Sequence, residues 1–316
     1  MKTYIKILIA SVLPLCTACV HKDLYFEEDA YSDVKVVFDW SQAPDANPSS
    51  MAVYLFDGVS AEPMRYIFVG REGGHARIPA GSYSALSMNS DNEDWAVLRN
   101  NNDIDNFEIM TSDAPVLRAY GLETASLPRT RGTENERIAS TPGMLWGSRE
   151  DSLLLPEGNY QKVLTLHPSE AVCHYTVTVK DVKNIGFVRG VEVDATLSGM
   201  SEGYMHGKQC SADNHVTMPF VLTADYDADI LTSRFLTFGE CSGDAQKHII
   251  TIYLYLSDDS KWYYTFDVTE QIANAPDPRH VDIVVSGLTL PQPVQSGGGL
   301  QPNVNDWQTT DIDLKM

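Results

Sequence analysis

The chain has 316 residues and a formal net charge of −20 at neutral pH, from 43 acidic and 23 basic residues. An acidic surface repels phosphate backbones and anionic lipid headgroups, so this charge argues against a nucleic-acid ligand and against a basic membrane-binding patch. The length is sufficient for two domains that each have a hydrophobic core.

The amino terminus has the pattern of an export signal. Lys2 and Lys6 precede an apolar run over residues 7–15 that ends shortly before Cys19. This run is too short to span a bilayer. We therefore expect residues 1–18 to be a lipoprotein signal peptide, with the thiol of Cys19 carrying the lipid that anchors the mature chain to a membrane.

One position departs from the usual lipoprotein signal. Cys16 stands three residues before Cys19, where an aliphatic residue is usual, and Leu15 lies one place too early. The alternative is cleavage by an ordinary signal peptidase that leaves Cys19 unmodified.

The other cysteines allow at most one disulfide. Cys210 and Cys241 lie in polar, loop-like sequence and could pair in an oxidising compartment, whereas Cys173 falls inside a strand pattern and is expected to be a buried small hydrophobe. Sequence does not supply the Cα separation that a disulfide requires.

Alternation of apolar and polar residues with a period of two is far more frequent than helical periodicity, which indicates an all-β protein. In residues 250–268 two alternating runs flank a polar turn, and this pattern predicts a β-hairpin. Strands are predicted over residues 34–40, 53–56, 65–69, 76–78, 82–86, 116–120, 163–166, 173–180, 250–256, 262–268 and 281–285.

Two polar segments are candidates for special sites. Residues 128–133 are turn-rich and basic, and they predict an exposed loop that trypsin-like proteases would cut first. Asp225, Asp227 and Asp229 alternate as at the start of a calcium loop, but Ile230 stands where that loop needs glycine, so an exposed acidic turn is favoured.

Signatures of catalysis and of metal binding are missing from the sequence. It contains no His-Glu-x-x-His zinc motif, no pair of cysteines two residues apart, no Gly-x-Ser-x-Gly elbow and no phosphate-binding glycine loop. We expect a protein that is not an enzyme and that has no cofactor and no metal site.

The chain resembles the fimbrillin-like lipoproteins of Bacteroidetes, the type V pilus superfamily, and within it the anchor subunits of short fimbriae. The order and spacing of four local matches carry this resemblance across nearly the whole mature chain. They are the start at Cys19–Leu24, the strand Val53–Asp57, the turn Ile78–Tyr83, and the ending from Gly298 through Val304, Trp307 and Ile312.

The resemblance implies two tandem transthyretin-like Greek-key β-sandwiches with short helical insertions, at residues 19–160 and 161–316. It also implies a lipid-anchored protein of the outer membrane, exposed at the cell surface, whose partners are pilin subunits joined by β-strand addition. Under this reading the terminal alternation is either a donated strand or the closing strand of the second sandwich, formed by Ile312, Leu314 and Met316.

The stalk pilins of this superfamily are processed at an arginine that follows their first strand. No arginine occurs between Cys19 and Arg65 in this chain, so the processing site is missing. Its absence favours an unprocessed terminal subunit, either the anchor or an accessory subunit near the base.

The rival hypothesis is a surface glycan-binding lipoprotein, since tandem β-sandwiches with exposed aromatic residues also capture carbohydrate. Trp95, Trp146 and Trp262 are its candidate platforms. Trp262 alternates in phase with Tyr264 and Phe266, which fits a sheet face better than a sugar shelf.

Overall fold

The computed structural model describes residues 31–117, 127–157, 161–241, 243, 246–293 and 307–309. This part of the chain is almost entirely β-structure, with one helix, α1 (Thr269–Ala273), and one 3-10 turn (Ile185–Phe187), so the predicted all-β class is confirmed. The strands are β1 (Tyr31–Phe38), β2 (Ser50–Phe56), β3 (Met64–Val69), β4 (Gly73–Pro79), β5 (Gly81–Asn89), β6 (Ala96–Arg99), β7 (Glu108–Thr111), β8 (Arg137–Ile138), β9 (Trp146–Leu155), β10 (Gln161–Leu166), β11 (Ser169–Glu170), β12 (Cys173–Lys180), β13 (Glu192–Ser201), β14 (Gly203–Met205), β15 (Cys210–Ser211), β16 (His215–Asp225), β17 (Ile230–Thr237), β18 (Ile249–Tyr255), β19 (Lys261–Asp267), β20 (His280–Ser286) and β21 (Gln308–Thr309).

Two sheets face each other in the amino-terminal half. Sheet A has the order β10-β1-β4, and sheet B has the order β11-β9-β5-β2-β3. Val34, Val36 and Phe38 of β1 are buried between them, as the alternation of that strand predicts. Side chains from β2, β5 and β9 fill the opposite side of the same core.

The carboxyl-terminal half is built on one large sheet. Sheet D has the order β20-β12-β17-β16-β13-β18-β19-β21, with β8 paired to β16 outside this path. The predicted hairpin is confirmed, because β18 pairs with β19 in antiparallel register. Every residue of β18 is buried, so this strand is covered on both faces.

A third, four-stranded sheet joins the two halves. Sheet C has the order β15-β14-β7-β6, and β7 pairs with β14 in antiparallel register. One hydrophobic core continues across this junction, since Ala52 and Leu86 of sheet B belong to the same buried cluster as Val177 and Ile252 of sheet D. The halves are therefore packed together through a shared core.

Residues 161–166 form a strand that belongs to the amino-terminal sheets. This strand, β10, pairs in parallel with β1, and its residues Leu164 and Leu166 are buried in the core between sheets A and B. It lies just after the domain boundary expected between residues 160 and 161, and that boundary stays a prediction. A strand pattern does not reveal the partner of a strand, which is why this strand was expected to open the second half.

Candidate subunit interface

The edge of sheet D at β19 carries the last described segment of the chain. The short strand β21 pairs in parallel with β19 through Trp262 and Tyr263 only. The remainder of β19 has no further strand beside it in the described part of the chain. An edge that is only partly covered leaves backbone groups free to pair with another strand.

An aromatic cluster holds this final segment in place. The Trp307 ring lies 5.4 Å from the Tyr253 ring and 5.3 Å from the Tyr255 ring, both in edge-on geometry. Burial raises the pKa of each tyrosine to about 12, so both hydroxyls stay protonated at neutral pH. Val116 and Leu117 of the amino-terminal half complete the cluster.

The basic segment at residues 128–133 lies over the outer face of sheet D. The Tyr253 hydroxyl donates to the backbone oxygen of Pro128 at 2.8 Å, and the hydroxyls of Thr130 and Thr251 are also 2.8 Å apart. Only the tip, at Arg131 and Gly132, is exposed. The segment expected to be an exposed loop is therefore exposed only at residues 131 and 132, because its other backbone and hydroxyl groups bond to the sheet.

The opposite edge of sheet D is closed by a side chain. Gln271, on helix α1, donates from Nε2 to the backbone oxygen of Val284 at 3.0 Å and accepts from the Val284 amide at 2.9 Å. Its amide thus makes the two bonds that a neighbouring strand would make to β20. Sequence reasoning missed this contact, since a glutamine on a short helix carries no local signal for it.

A charge network with two buried carboxylates lies at sheet C, where the two halves meet. The Arg99 guanidinium donates to Glu108 through two bonds of 2.9 Å and to Glu202 at 2.6 Å. Asn214 also donates to Glu202. Burial alone would raise the pKa of Glu202, but the bonds from Asn214 and Arg99 outweigh it and the pKa is lowered. The carboxylate is thereby kept ionised at the junction.

The predicted lipidation and tail residues lie outside the described part of the chain. They are Cys19, Ile312, Leu314 and Met316. Their roles remain predictions.

The described cysteines are free thiols. Cys241 Sγ lies 3.0 Å from Nδ1 of His215, and burial raises the pKa of this thiol to about 12. Cys173, expected to be a small buried hydrophobe, is only half-buried, and its partial burial raises the pKa of the thiol to about 11. The pairing of Cys210 with Cys241 stays a prediction.

The tryptophans proposed as glycan platforms pack against the cores. Trp95 lies against Phe238 with ring centroids 6.4 Å apart, and Trp146 meets Trp40 edge-on at 6.4 Å. Trp262 is half-buried and donates from Nε1 to the hydroxyl of Ser260. Each of the three tryptophans therefore contributes to packing, and none is exposed as a flat platform for a sugar ring.

The acidic turn between β16 and β17 is organised by its own backbone. The Asp225 carboxylate accepts from the amides of Asp227 and Ala228 at 3.0 and 3.1 Å. Within the ranges that the structure describes, no group of three histidine, cysteine or acidic side chains is arranged to hold a metal ion. No helix among those residues is long and apolar enough to cross a membrane.

Comparison with known proteins finds solved structures that have a similar fold. A solved structure described as a candidate adhesin from Bacteroides ovatus has a TM-score of 0.60 and 19% identity, covering 84% of this chain and 94% of the other. The fimbrial anchor protein Mfa2 from Porphyromonas gingivalis has a TM-score of 0.50 and 13% identity, covering 81% of this chain and 90% of the other.

The resemblance to fimbrillin-like proteins is thus confirmed at the level of the fold. No curated protein matches the sequence. The model of the family described as a domain of unknown function, DUF5119, matches residues 18–221, and the chain therefore belongs to this family.

Proposed function

We propose that this protein is a cell-surface lipoprotein that acts as an anchor or accessory subunit of a fimbria. The observation that carries the proposal is the fold shared with a fimbrial anchor protein along 81% of this chain. The role is a structural one, without catalysis, cofactor or metal. The outer membrane would hold the chain through lipid on Cys19.

Neighbouring pilins would join this subunit by β-strand addition. The edge at β19 supports this, because most of it has no strand beside it among the described residues and its backbone groups could bond to an added strand. The segment that contains Ile312, Leu314 and Met316 follows directly after β21 in the chain. It would either complete this edge or be donated to a neighbour.

The test is an immunoblot of outer-membrane fractions, boiled and unboiled, from cells that carry wild-type or Cys19→Ala protein. We expect high-mass ladders that contain pilin in the unboiled wild-type sample, and ladders that detach from the cell when Cys19 is replaced. Cys210→Ala is the matched control, since it removes a thiol outside the anchor. A single monomer band in every lane would overturn the fimbrial role.

A second variant separates the two roles of the tail. Deletion of residues 310–316 should abolish the ladder and leave the unfolding midpoint unchanged if the tail is donated. If it is the closing strand of its own sheet, the same deletion should lower the midpoint. If neither the ladder nor the unfolding midpoint changes, both proposed roles of the tail are wrong.

A further inference from the structure

The free edge of sheet B differs from the edges of sheet D. The edge strand β3 (Met64–Val69) pairs with β2 on one side and has no strand on its other side in the described ranges. Ile67 is 56% exposed and Val69 is 88% exposed. The strand contains one charged residue, Arg65, and no proline or bulge, so the usual protections of an edge strand are nearly absent.

The backbone of β3 presents a definite set of groups to solvent. The Gly70 amide donates to the Ser49 oxygen at 2.7 Å, and these residues are directly opposed in the β2–β3 register. Hydrogen-bonded pairs alternate in an antiparallel ladder, so even-numbered residues of β3 bond to β2. The amides and carbonyls of Arg65, Ile67 and Val69 therefore point away from the sheet.

A row of apolar side chains crosses sheet B and ends at the edge strand β3. Ala52 is opposed by Ile67 on one side and by Met88 on the other, which makes a row across three strands. Ala52 and Met88 are buried in the shared core, but the row ends open at Ile67. A strand added beside β3 would cover the exposed end of this row.

We propose that two copies of this chain pair through β3, antiparallel, about a two-fold axis at Ile67. This register places Ile67 opposite its own copy and Arg65 opposite Val69 of the partner subunit, so no like charges meet. On the core-facing side it pairs Tyr66 with Phe68 of the partner subunit, a favourable aromatic cross-strand contact. Each of the outward-facing pairs exchanges two backbone hydrogen bonds.

Neighbouring registers are less favourable. An axis at Phe68 would pair Ile67 with Val69 of the partner subunit but would leave Arg65 opposite Arg71 of the partner subunit, which lies beyond the end of β3. An axis at Tyr66 would oppose Val69 to Pro63, which has no amide to donate. Only the axis at Ile67 pairs Arg65, Ile67 and Val69 wholly within the bounds of β3, so the extent of this strand favours that axis. A contact that maps onto itself in this way closes as a dimer.

The net charge of the chain determines how the pairing depends on salt. Two chains that each carry a net charge of −20 repel one another, whereas the contact itself is apolar and backbone-mediated. Added salt screens the repulsion, so the dimer should strengthen as salt increases. An interface held by Arg65 and an acidic partner would weaken instead. The inference holds whether or not the chain is a fimbrial subunit.

The test uses the mature chain with Cys19→Ala, which removes the lipid attachment point. Sedimentation over about a hundred-fold range of protein concentration should show a dimer that strengthens with salt and that is lost in Ile67→Lys. Val163→Lys is the matched control, because Val163 is 52% exposed on the edge strand β10 of the other sheet. Wild-type protein that stays monomeric throughout would overturn the proposal.

Disulfide trapping tests the register. Opposed residues in a hydrogen-bonded pair have Cα atoms about 5.5 Å apart, a separation that a disulfide spans. Ile67→Cys should therefore give an oxidised dimer above the wild-type background of native thiols. Val69→Cys alone should not, but Val69→Cys mixed with Arg65→Cys should. Cross-linking of Ile67→Cys no greater than that of Val163→Cys would contradict the pairing even if a dimer forms.

Discussion

Nε2 of His206 lies 2.9 Å from the backbone oxygen of Ser87, and this single hydrogen bond links the segment after β14 to strand β5 of the amino-terminal half. His206 is fully buried, and its ring meets the Phe107 ring edge-on at 5.9 Å. Its other nitrogen, Nδ1, has no hydrogen-bond partner. The ring is therefore neutral, with Nε2 donating, and it fastens one half of the chain to the other.

This arrangement predicts an acid-sensitive junction. Burial lowers the pKa of His206 from 6.5 to about 4, so between these values the unfolded chain binds a proton that the folded chain does not. The contribution of His206 to stability is complete above about pH 6.5 and is lost as the pH falls. We expect wild-type protein to lose about 2 kcal/mol between pH 7 and pH 5 from this group.

The measurement is the free energy of unfolding in denaturant at both pH values. His206→Gln should remove this part of the pH dependence, whereas His75→Gln, at an exposed histidine, should keep it. Equal pH dependence in wild type and His206→Gln would show that the imidazole does not titrate on unfolding.

Gly147 provides the space that the His206 ring occupies. A Cβ atom at this position would overlap the ring and would lie 2.7 Å from the Ser87 oxygen. Gly147→Ala should therefore destabilise the protein by about 3 kcal/mol, as overpacking does in a closed core. Gly186→Ala is the control, since no atom lies within 4 Å of its Cβ position, and it should change the free energy of unfolding little. Similar melting curves for the two variants would contradict this account.

The local sequence predicted the individual strands well, but it did not predict which strands pair with one another. The strand at Cys173–Lys180 and the hairpin of β18 and β19 were predicted because alternation is visible within a few residues. The pairing of β10 with β1 joins segments separated by more than 100 residues. No local pattern encodes such a pairing, since it depends on packing between distant segments.

The contacts that cover the sheet edges, or leave them uncovered, could not be predicted from the sequence either. Gln271 bonds to Val284 through a side-chain amide whose direction depends on where helix α1 docks. Ile67 has the same alternation as a core residue, and only the order of strands in sheet B makes it exposed. Trp307 was visible in sequence, but its aromatic partners were not.

The charge network at sheet C predicts a large effect of neutralising one carboxylate. Glu202→Gln removes a negative charge that faces Arg99 at 2.6 Å and Arg137 at 3.7 Å. Because Glu202 is buried but Arg99 is partly exposed, we expect a loss of about 2 kcal/mol in the free energy of unfolding, less than for a fully buried pair.

Asp259→Asn is the matched control for Glu202→Gln. Asp259 pairs with Arg189 at the surface, where both side chains are well exposed, so its loss should cost below about 1 kcal/mol. Equal losses in the two variants would show that burial does not strengthen the network.

Two aromatic residues test the assignment of the sheet D core. Tyr175 and Phe266 are each at most 2% exposed. Replacing either by alanine leaves a cavity in a closed core and should cost about 3 kcal/mol or more in denaturant melts. Val59→Ala, at a side chain that is 91% exposed, should leave stability unchanged. A loss near zero for Phe266→Ala would show that this face does not pack as described.

Trp307 predicts how firmly the end of the described chain is attached to sheet D. Its ring is held by Tyr253 and Tyr255, whereas β21 itself makes only a short ladder with β19. Trp307→Ala should therefore release β21, and backbone amides at the edge of β19 should exchange with deuterium faster than in wild type. Tyr226→Ala, which removes a 40% exposed ring elsewhere on the surface, should leave that exchange unchanged. Because the stability of β18 rests on the core beneath it, the overall unfolding midpoint should fall far less than in Phe266→Ala. If exchange at β19 is the same in Trp307→Ala and wild type, the ladder alone holds the strand and the aromatic cluster is not its anchor.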